Sequence, residues 1–218
     1  MGNFESYWKK KFEESAKFSQ NFQMSISSKV AMNELRRVFT IFLEKYWNDK
    51  YKTILDIGCG PGNYFDIYQK FNLDITGLDF SPQQLEPVKQ KFPDAKLIAG
   101  RVEETDFNHK FDVISIIGVI QTVDEPEIFL RRVKDLLNDN GLVLMTYSNR
   151  VALYPKIGNA RYLYLYSLEE AKIQLKKYFD ILEYKRVYYF PSVLNVFRKL
   201  FYPIQIPLLN HSFMFVLK

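Results

Sequence analysis

Residues 54–63 read ILDIGCGPGN, a short apolar run followed directly by glycines at alternate positions. Thr53–Ile57 has the length and composition of a buried β-strand. Glycine adopts positive φ and lets a backbone come close to a ligand, so this run predicts a tight turn against a bound molecule. In an open α/β sheet, ligands bind at the carboxyl ends of the strands. The stretch therefore predicts a ligand site at the first strand–helix turn.

The rest of the central chain alternates short apolar runs with segments of helical periodicity. Such alternation implies parallel strand pairing with right-handed crossovers, which builds a doubly wound α/β sheet. Two late strand-like runs predict antiparallel pairing at one sheet edge, giving a mostly parallel seven-stranded sheet with an antiparallel last strand. The predicted strands are 53–57, 74–78, 95–99, 111–117, 142–147, 181–190 and 213–217, and the predicted helices are 61–71, 82–91 and 126–138.

The two flanks of the sheet differ from its centre. Residues 3–48 contain no proline and no glycine and have helical spacing of apolar residues, so we expect an N-terminal helical cover over 1–50. The sheet domain then occupies 51–218, with a substrate-shaping insertion at about 149–210. Ser167 and Glu170 form a capping-box pattern that predicts a helix to about residue 177.

Composition restricts the class of protein. The net charge of +5 divides into +4 over residues 1–52, −5 over 53–150 and +6 over 151–218. Basic flanks attract anionic partners, but they are also typical of solvated helix faces. No run approaches the length of a membrane-spanning helix, the N-terminus has no signal-peptide pattern, and Cys59 is the only cysteine. We expect a cytoplasmic protein.

The glycine turn does not fit two common nucleotide-binding patterns. The dinucleotide fingerprint needs a glycine three positions after its second one, and Asn63 stands there. The phosphate-binding loop needs Gly-Lys followed by Ser or Thr, which is absent from this turn. No paired His or Cys stands at metal-ligand spacing, so we expect no metal.

The chain resembles the class I S-adenosylmethionine-dependent methyltransferases, small-molecule branch. LDIGCGPGN resembles the first motif of that family, and GLDFS at 77–81 resembles the end of its second strand. FDVI at 111–114 and VKDLLNDNGLVL at 133–144 resemble later elements in the family order. The resemblance covers about 53–148 and implies S-adenosylmethionine as cofactor, S-adenosylhomocysteine as product and methyl transfer as activity (EC 2.1.1.-).

The same resemblance implies the residues that bind the cofactor. Asp56 would steady the turn and the amino end of the methionine moiety, while Gly58 and Gly60 would admit the cofactor backbone. Asp79 would accept hydrogen bonds from both ribose hydroxyls, as a carboxylate can. The full predicted set is Asp56, Gly58, Cys59, Gly60, Asp79, Phe80, Arg101, Val102, Gly118 and Gln121.

Two positions depart from the family pattern. Arg101 follows Gly100 where relatives carry an Asp near the adenine amine, so adenine would rest on Val102 or Glu103 or stack beneath Arg101. Thr122 occupies a position where many relatives carry histidine, so no general base is identified there. The catalytic group is therefore unknown from sequence; the candidates are His211, Tyr7 and Tyr147.

The identity of the methyl acceptor is the property that the sequence determines least. Residues 193–209 carry apolar residues at helical spacing with Arg198 and Lys199 opposite, a pattern typical of an interfacial helix, a lid or a helix docked on the sheet. It favours a small hydrophobic or lipid-linked acceptor, with peripheral membrane contact through 193–209. Residues 1–28 and 193–209 are predicted to form a mobile cover. Alternatives are a nucleic-acid methyltransferase that uses the basic flanks, which the missing base-handling motif disfavours, and a non-catalytic cofactor-binding module.

Overall fold

The structure is a computed structural model that describes residues 29–151, 164–188 and 210–218. Its core is a seven-stranded sheet with strand order β3-β2-β1-β4-β5-β7-β6. A 3₁₀ turn, Ile120–Thr122, follows β4. The described helices are α1 (Lys29–Lys45), α2 (Phe65–Lys70), α3 (Pro82–Lys91), α4 (Pro126–Leu136) and α5 (Leu168–Leu175), and the strands are β1 (Thr53–Ile57), β2 (Asp74–Asp79), β3 (Lys96–Ala99), β4 (Phe111–Ile116), β5 (Leu137–Ser148), β6 (Ile181–Tyr188) and β7 (Asn210–Leu217).

Strands β1 to β5 pair in parallel, and β7 pairs antiparallel with both β5 and β6. The predicted fold class, a doubly wound α/β sheet with an antiparallel edge, is confirmed. The order reverses beside β1, because β2 and β3 lie on one side of it and β4 on the other. That switch point is where an open α/β sheet binds ligands.

Helices cover both faces of the sheet. On one face α1, α2 and α3 bury apolar residues against β1 and β5, and α1 contributes Val38, Phe39, Phe42 and Leu43. On the other face α4 and α5 pack against β4, β5 and β7. The strands alternate between the two layers, so Leu142 and Leu144 face α1 while neighbouring residues face α4.

Several element boundaries differ from the predictions by a few residues, and two of the differences have a physical cause in the structure. The predicted helix 61–71 begins at Phe65, because Gly60 and Gly62 have positive φ and hold the preceding residues in turns. Strand β5 begins at Leu137, five residues before the predicted start, where Leu137 pairs with Phe111. The Asn138 amide there donates to the Asp112 carboxylate at 2.7 Å, so polar residues that suggested a turn extend the strand.

Several predictions concern residues outside the described part of the chain. These are the mobile cover at 1–28 and 193–209, the interfacial helix within it, and Tyr7. The described part of segment 1–50, α1, packs on the sheet, and the division into cover and domain stays a prediction. None of the described helices is long and apolar enough to cross a membrane.

Candidate active site

A cavity of about 230 Å³ lies at the carboxyl ends of the parallel strands. One end lies between the turns that follow β1, β2 and β3, and the other lies against the ends of β5 and β7. Met32 and Leu35 from α1 line it from one layer, and Phe129 from α4 lines it from the other. The cavity therefore occupies the switch point predicted from the glycine turn.

The turn after β1 is held by the neighbouring strand through its backbone. Gly58 and Cys59 donate their N–H groups to the Leu78 carbonyl at 2.7 and 3.1 Å. Gly58 has φ of 70°, and a side chain added there would meet Val119 Cγ2 at 2.4 Å. Gly60 has φ of 49°, and a side chain added there would meet nothing within 4 Å. Gly58 therefore leaves no room for a side chain beside Val119, whereas Gly60 faces free space beside the cavity.

Asp79 joins the turn after β1 to the turn after β2. Its Oδ2 accepts the Gly60 N–H at 2.9 Å and its Oδ1 accepts the Ser81 N–H at 2.9 Å. Burial raises the pKa of this carboxyl above its ordinary value, although the two backbone bonds oppose the rise. Each oxygen keeps a second lone pair, so Asp79 can still accept hydrogen bonds from a ligand diol.

Asp56 lies beneath the same turn in a buried polar cluster. The Tyr68 hydroxyl donates to Ser115 Oγ at 2.9 Å, which leaves the Ser115 hydroxyl proton for Asp56, and both hydroxyl groups favour the charged form of Asp56. Burial raises the pKa of Asp56 to about 7, opposed by these two hydroxyl groups. Its Oδ2 is buried and has no hydrogen-bond partner, and the same is true of the Tyr64 hydroxyl and Gln121 Oε1. Buried polar atoms are normally paired, so three such atoms around one cavity favour a bound ligand that supplies donors and acceptors.

The segment after β3 closes the cavity beyond Asp79. Gly100 donates its N–H to the Asp79 carbonyl at 2.9 Å, which fixes the following residues against β2. Val102 is buried, and Arg101 Nε lies 3.6 Å from Glu103 Oε2. The Glu103 carboxylate and the Arg101 guanidinium therefore both line this end of the cavity.

The opposite end of the cavity is lined by the last residues of β5 and the first of β7. Thr146, Ser148, His211 and Ser212 are all buried there. The Thr146 hydroxyl accepts the Gly118 N–H at 2.8 Å, and His211 Nδ1 lies 3.3 Å from Ser212 Oγ. Burial lowers the pKa of His211 to about 4, so the imidazole is neutral near pH 7.

The structure brings all ten predicted cofactor residues to the lining of this one cavity. His211 lines it as well, whereas Tyr147 lies outside the lining and donates its hydroxyl to Gln174 at 2.9 Å. Sequence reasoning missed Tyr64, Thr146 and Ser148. Thr146 and Ser148 were detectable, because they are polar residues at alternate positions ending an apolar strand.

No group of three or more His, Cys, Asp or Glu side chains in the described ranges is arranged to hold a metal ion. The carboxylates at the cavity belong to separate elements, with Asp56 on β1, Asp79 on β2 and Glu103 after β3.

An α/β sheet of this order, with a cavity over a glycine turn and a buried acid ending β2, agrees with what the resemblance to the methyltransferases implied. A family model described as a methyltransferase domain matches residues 29–191. The chain belongs to this family, and the predicted resemblance to the class I S-adenosylmethionine-dependent methyltransferases is confirmed.

The individual relatives have low sequence identity to this chain. The chain is 30% identical over 102 residues to a ubiquinone biosynthesis O-methyltransferase of Azorhizobium caulinodans, covering 44% of this chain and 40% of that protein. It is 28% identical over 167 residues to the ubiquinone biosynthesis O-methyltransferase of Glaesserella parasuis, covering 70% of this chain and 68% of that protein. The chain thus spans less than half of the Azorhizobium relative.

Among solved structures, the fold is similar to magnesium protoporphyrin IX methyltransferase from Synechocystis with bound SAH. The TM-score is 0.72 at 12% identity, and the superposition covers 99% of each chain. At this identity the similarity concerns the fold.

Proposed function

We propose that this protein transfers a methyl group from S-adenosylmethionine to a small-molecule acceptor bound beside it in the same cavity. The observation that carries the proposal is the convergence of the glycine turn, Asp56 and Asp79 on one cavity that has unpaired buried polar atoms. Family membership supports the reaction class.

The residues present fit this cofactor. Asp79 offers a free lone pair on each oxygen for a ribose diol, and Gly60 leaves open space for the cofactor backbone. The unpartnered Oδ2 of Asp56 suits a cationic donor such as an amino group, because a buried carboxylate gains most from a charged partner. Glu103, next to the buried Val102, offers an acceptor to the adenine amine.

The bound cofactor would supply an activated methyl group on sulfur. The protein's part is then to bind, align and exclude water, and such alignment provides much of the acceleration in bimolecular reactions. The hydrogen bonds from Gly58 and Cys59 to Leu78 hold the turn in place before the ligand arrives. The cavity continues past Gly118 to the ends of β5 and β7, which leaves room for an acceptor.

Relatives support a small acceptor. Names among them include ubiquinone biosynthesis, malonyl-[acyl-carrier protein] and trans-aconitate methyltransferases. Met32 and Leu35 contribute apolar contacts at the cavity, which favours a partly hydrophobic acceptor. In its more specific form, the proposal is that the acceptor is lipid-linked and that residues 193–209 contact the membrane surface.

Calorimetric titration with S-adenosylmethionine and S-adenosylhomocysteine tests the proposal directly. We expect binding by the wild-type protein and a loss of about 2 to 3 kcal/mol in Asp79→Ala, because two hydrogen bonds to a charged group are removed. Asp112→Ala is the matched control, since Asp112 also accepts backbone N–H groups, from Lys52 and Thr53, but lies at the amino end of the sheet. Wild-type affinity in a folded Asp79→Ala variant would contradict the assignment.

Methyl transfer is tested with isotope-labelled donor against metabolite and lipid extracts, with RNA and DNA as separate arms. Labelling of a small molecule supports the proposal. Labelling of nucleic acid alone would favour the alternative use of the basic flanks, and cofactor binding without any transfer would favour a non-catalytic module.

A further inference from the structure

Two arginines reach from the flanking helices to the backbone of the segments on either side of Asp79. Arg36 lies on α1, which packs on one face of the sheet, and Arg132 lies on α4, which packs on the other. Neither of these two side chains lines the cavity. Each can therefore act on a ligand only through the residues that it holds.

Arg36 holds the end of the glycine turn. Its Nη1 donates to the Asn63 carbonyl and, at 3.0 Å, to Asp66 Oδ1, and its Nη2 donates to Asp66 Oδ2 at 2.6 Å. The guanidinium carbon also lies 5.8 Å from the centroid of the Tyr64 ring. Asn63 and Tyr64 line the cavity, and the buried Tyr64 hydroxyl has no hydrogen-bond partner. One planar group with several N–H donors thus fixes the turn, the start of α2 and a ring that faces the ligand.

Arg132 holds the segment after β3 from the other face of the sheet. Its Nη2 donates to the Thr105 carbonyl at 2.8 Å, and its Nε donates to the Val102 carbonyl at 3.3 Å. Inside the segment, the Thr105 N–H and hydroxyl both donate to the Arg101 carbonyl, at 2.9 and 2.6 Å. Val102 and Glu103 line the cavity, so Arg132 holds the segment to which the proposed function assigns the adenine contacts.

The two arginines act on opposite sides of Asp79. The strand order places β2, which ends at Asp79, between β1 and β3. The outer two of these strands are separated by two strand spacings, or roughly 10 Å. The Gly60 N–H from one side and the Gly100 N–H from the other each donate to Asp79 at 2.9 Å. A ligand whose diol binds Asp79 would extend one way to the turn held by Arg36 and the other way to the segment held by Arg132.

The helices that carry these arginines also cover the cavity. Met32, one turn before Arg36, and Phe129, one turn before Arg132, both line it. The hydrogen bonds of each arginine therefore join a covering helix to a segment that faces the ligand. Without those bonds the segment must become ordered when the ligand binds, and ordering the backbone of even one residue lowers a binding constant by about tenfold.

We propose that Arg36 and Arg132 are positioning residues that order the two ends of the cofactor site before the cofactor binds. Arg36 orders the end that receives the methionine moiety, and Arg132 orders the end that receives adenine. The inference rests on the proposed binding of S-adenosylmethionine and adds two residues to it that lie outside the cavity. The side chains of Arg36 and Asp66 are 27% and 44% exposed, so their ion pair contributes little to the free energy of unfolding. Loss of Arg36 should therefore appear mainly in ligand affinity.

The test compares two ligands that differ at the methionine end. S-adenosylhomocysteine carries adenine, ribose and the amino-acid moiety, whereas 5′-methylthioadenosine carries adenine and ribose but ends in a methyl group on sulfur. Arg36→Gln should lower the affinity for S-adenosylhomocysteine about tenfold and leave the affinity for 5′-methylthioadenosine within about twofold of wild type. Arg132→Gln should lower both affinities about tenfold. Titration calorimetry of the wild type and the two variants measures these affinities.

The neighbouring arginines provide matched controls. Arg37 follows Arg36 on α1 and donates to Glu34 of the same helix at 3.0 and 2.7 Å. Arg131 precedes Arg132 on α4 and is exposed. Arg37→Gln and Arg131→Gln should leave the affinity for both ligands within about twofold of wild type, because neither side chain is placed at a cofactor segment.

Amide hydrogen exchange in the ligand-free protein measures the ordering itself. Arg36→Gln should speed exchange of the Gly62 N–H, which donates to the Cys59 carbonyl at 3.0 Å. Arg132→Gln should speed exchange of the Thr105 N–H. Each variant should leave the other amide as it is in the wild type.

The outcomes separate this inference from the proposed function. Equal losses for the two ligands in Arg36→Gln, or an unchanged affinity for S-adenosylhomocysteine, would overturn its role at the methionine end. A loss for S-adenosylhomocysteine alone in Arg132→Gln, or no loss, would overturn its role at the adenine end. Unchanged exchange of both amides would show that neither arginine orders its segment. Failure of the wild-type protein to bind S-adenosylhomocysteine, with both amides responding as expected, would instead refute the proposed function.

Discussion

The two ends of the cavity are built in different ways. The cofactor end, as the proposed function assigns it, is formed by the turns after β1, β2 and β3. It is held mainly by backbone N–H groups, such as the Gly58 N–H on the Leu78 carbonyl and the Gly60 N–H on the Asp79 carboxylate. The acceptor end, as the proposed function assigns it, is lined by side chains from β5 and β7, two strands that pair residues as far apart as Ser148 and Ser212. Substitutions at the first end should therefore act mainly through backbone conformation, whereas substitutions at the second end should act through side-chain contacts.

The contributions of the two ends to the free energy of unfolding should change with pH in opposite directions, and the larger change is expected from Asp56. Its folded pKa is raised from 3.8 to about 7, so its contribution to stability is full below pH 4 and is lost as pH rises to about 7. The loss amounts to about 4 kcal/mol. Asp56→Asn should remove this slope, so the ligand-free variant should equal wild type near pH 4 and exceed it at pH 8. Urea unfolding at several pH values measures this, and parallel curves for the two proteins would contradict it.

At the acceptor end the pH dependence of the stability has the opposite sign. The pKa of His211 is lowered from 6.5 to about 4, so its stabilising contribution is present above pH 6.5 and is lost as pH falls towards 4. The loss amounts to about 3 kcal/mol. The difference in unfolding free energy between wild type and His211→Asn should therefore shift in favour of the variant between pH 7 and pH 4. A difference that does not change with pH would show that His211 is not buried neutral.

A pair of glycine substitutions tests whether stability and cofactor binding at the cofactor end require the backbone conformation of the glycine turn. Gly58→Ala forces a side chain onto Val119 and into positive φ, which should cost about 2 to 3 kcal/mol of unfolding free energy. Gly60→Ala also has positive φ but meets no atom, so it should cost about 1 kcal/mol. It should still weaken S-adenosylmethionine binding, because its methyl group enters the space left for the cofactor.

A double variant sharpens this test. Val119→Ala should recover part of the stability lost in Gly58→Ala, since it removes the Cγ2 atom at 2.4 Å. Equal stability of Gly58→Ala and Gly60→Ala in chemical denaturation would show that the contact with Val119 is unimportant.

The last prediction concerns the point where the two ends meet. Thr146→Val removes the hydroxyl that accepts the Gly118 N–H and should cost about 1 to 2 kcal/mol of unfolding free energy. Thr146→Ser keeps the hydroxyl and should cost less. If the ends are independent, cofactor affinity should change little in either variant. A tenfold loss in Thr146→Val alone would show that the Thr146 hydroxyl also positions the cofactor.

The sequence by itself determined the cofactor end. Alternate glycines after an apolar strand, and an acid ending the next strand, are local requirements for positive φ and for a carboxylate near the turn, so residue type and spacing were enough to name Gly58, Gly60 and Asp79. Local periodicity gave the order of strands and helices for the same reason. It misplaced the start of β5, because the pairing of Leu137 with Phe111 depends on a partner 26 residues away.

Only the tertiary structure decided the acceptor end. The pairing register of β5 and β7 brings Ser148 opposite Ser212, and no local pattern fixes that register across more than 60 residues of chain. Burial likewise follows from the assembled layers, so neither the raised pKa of Asp56 nor the neutral state of His211 was readable from residue type. Backbone geometry depends on neighbouring residues in the sequence, whereas desolvation and cross-strand contacts arise only when distant segments pack together.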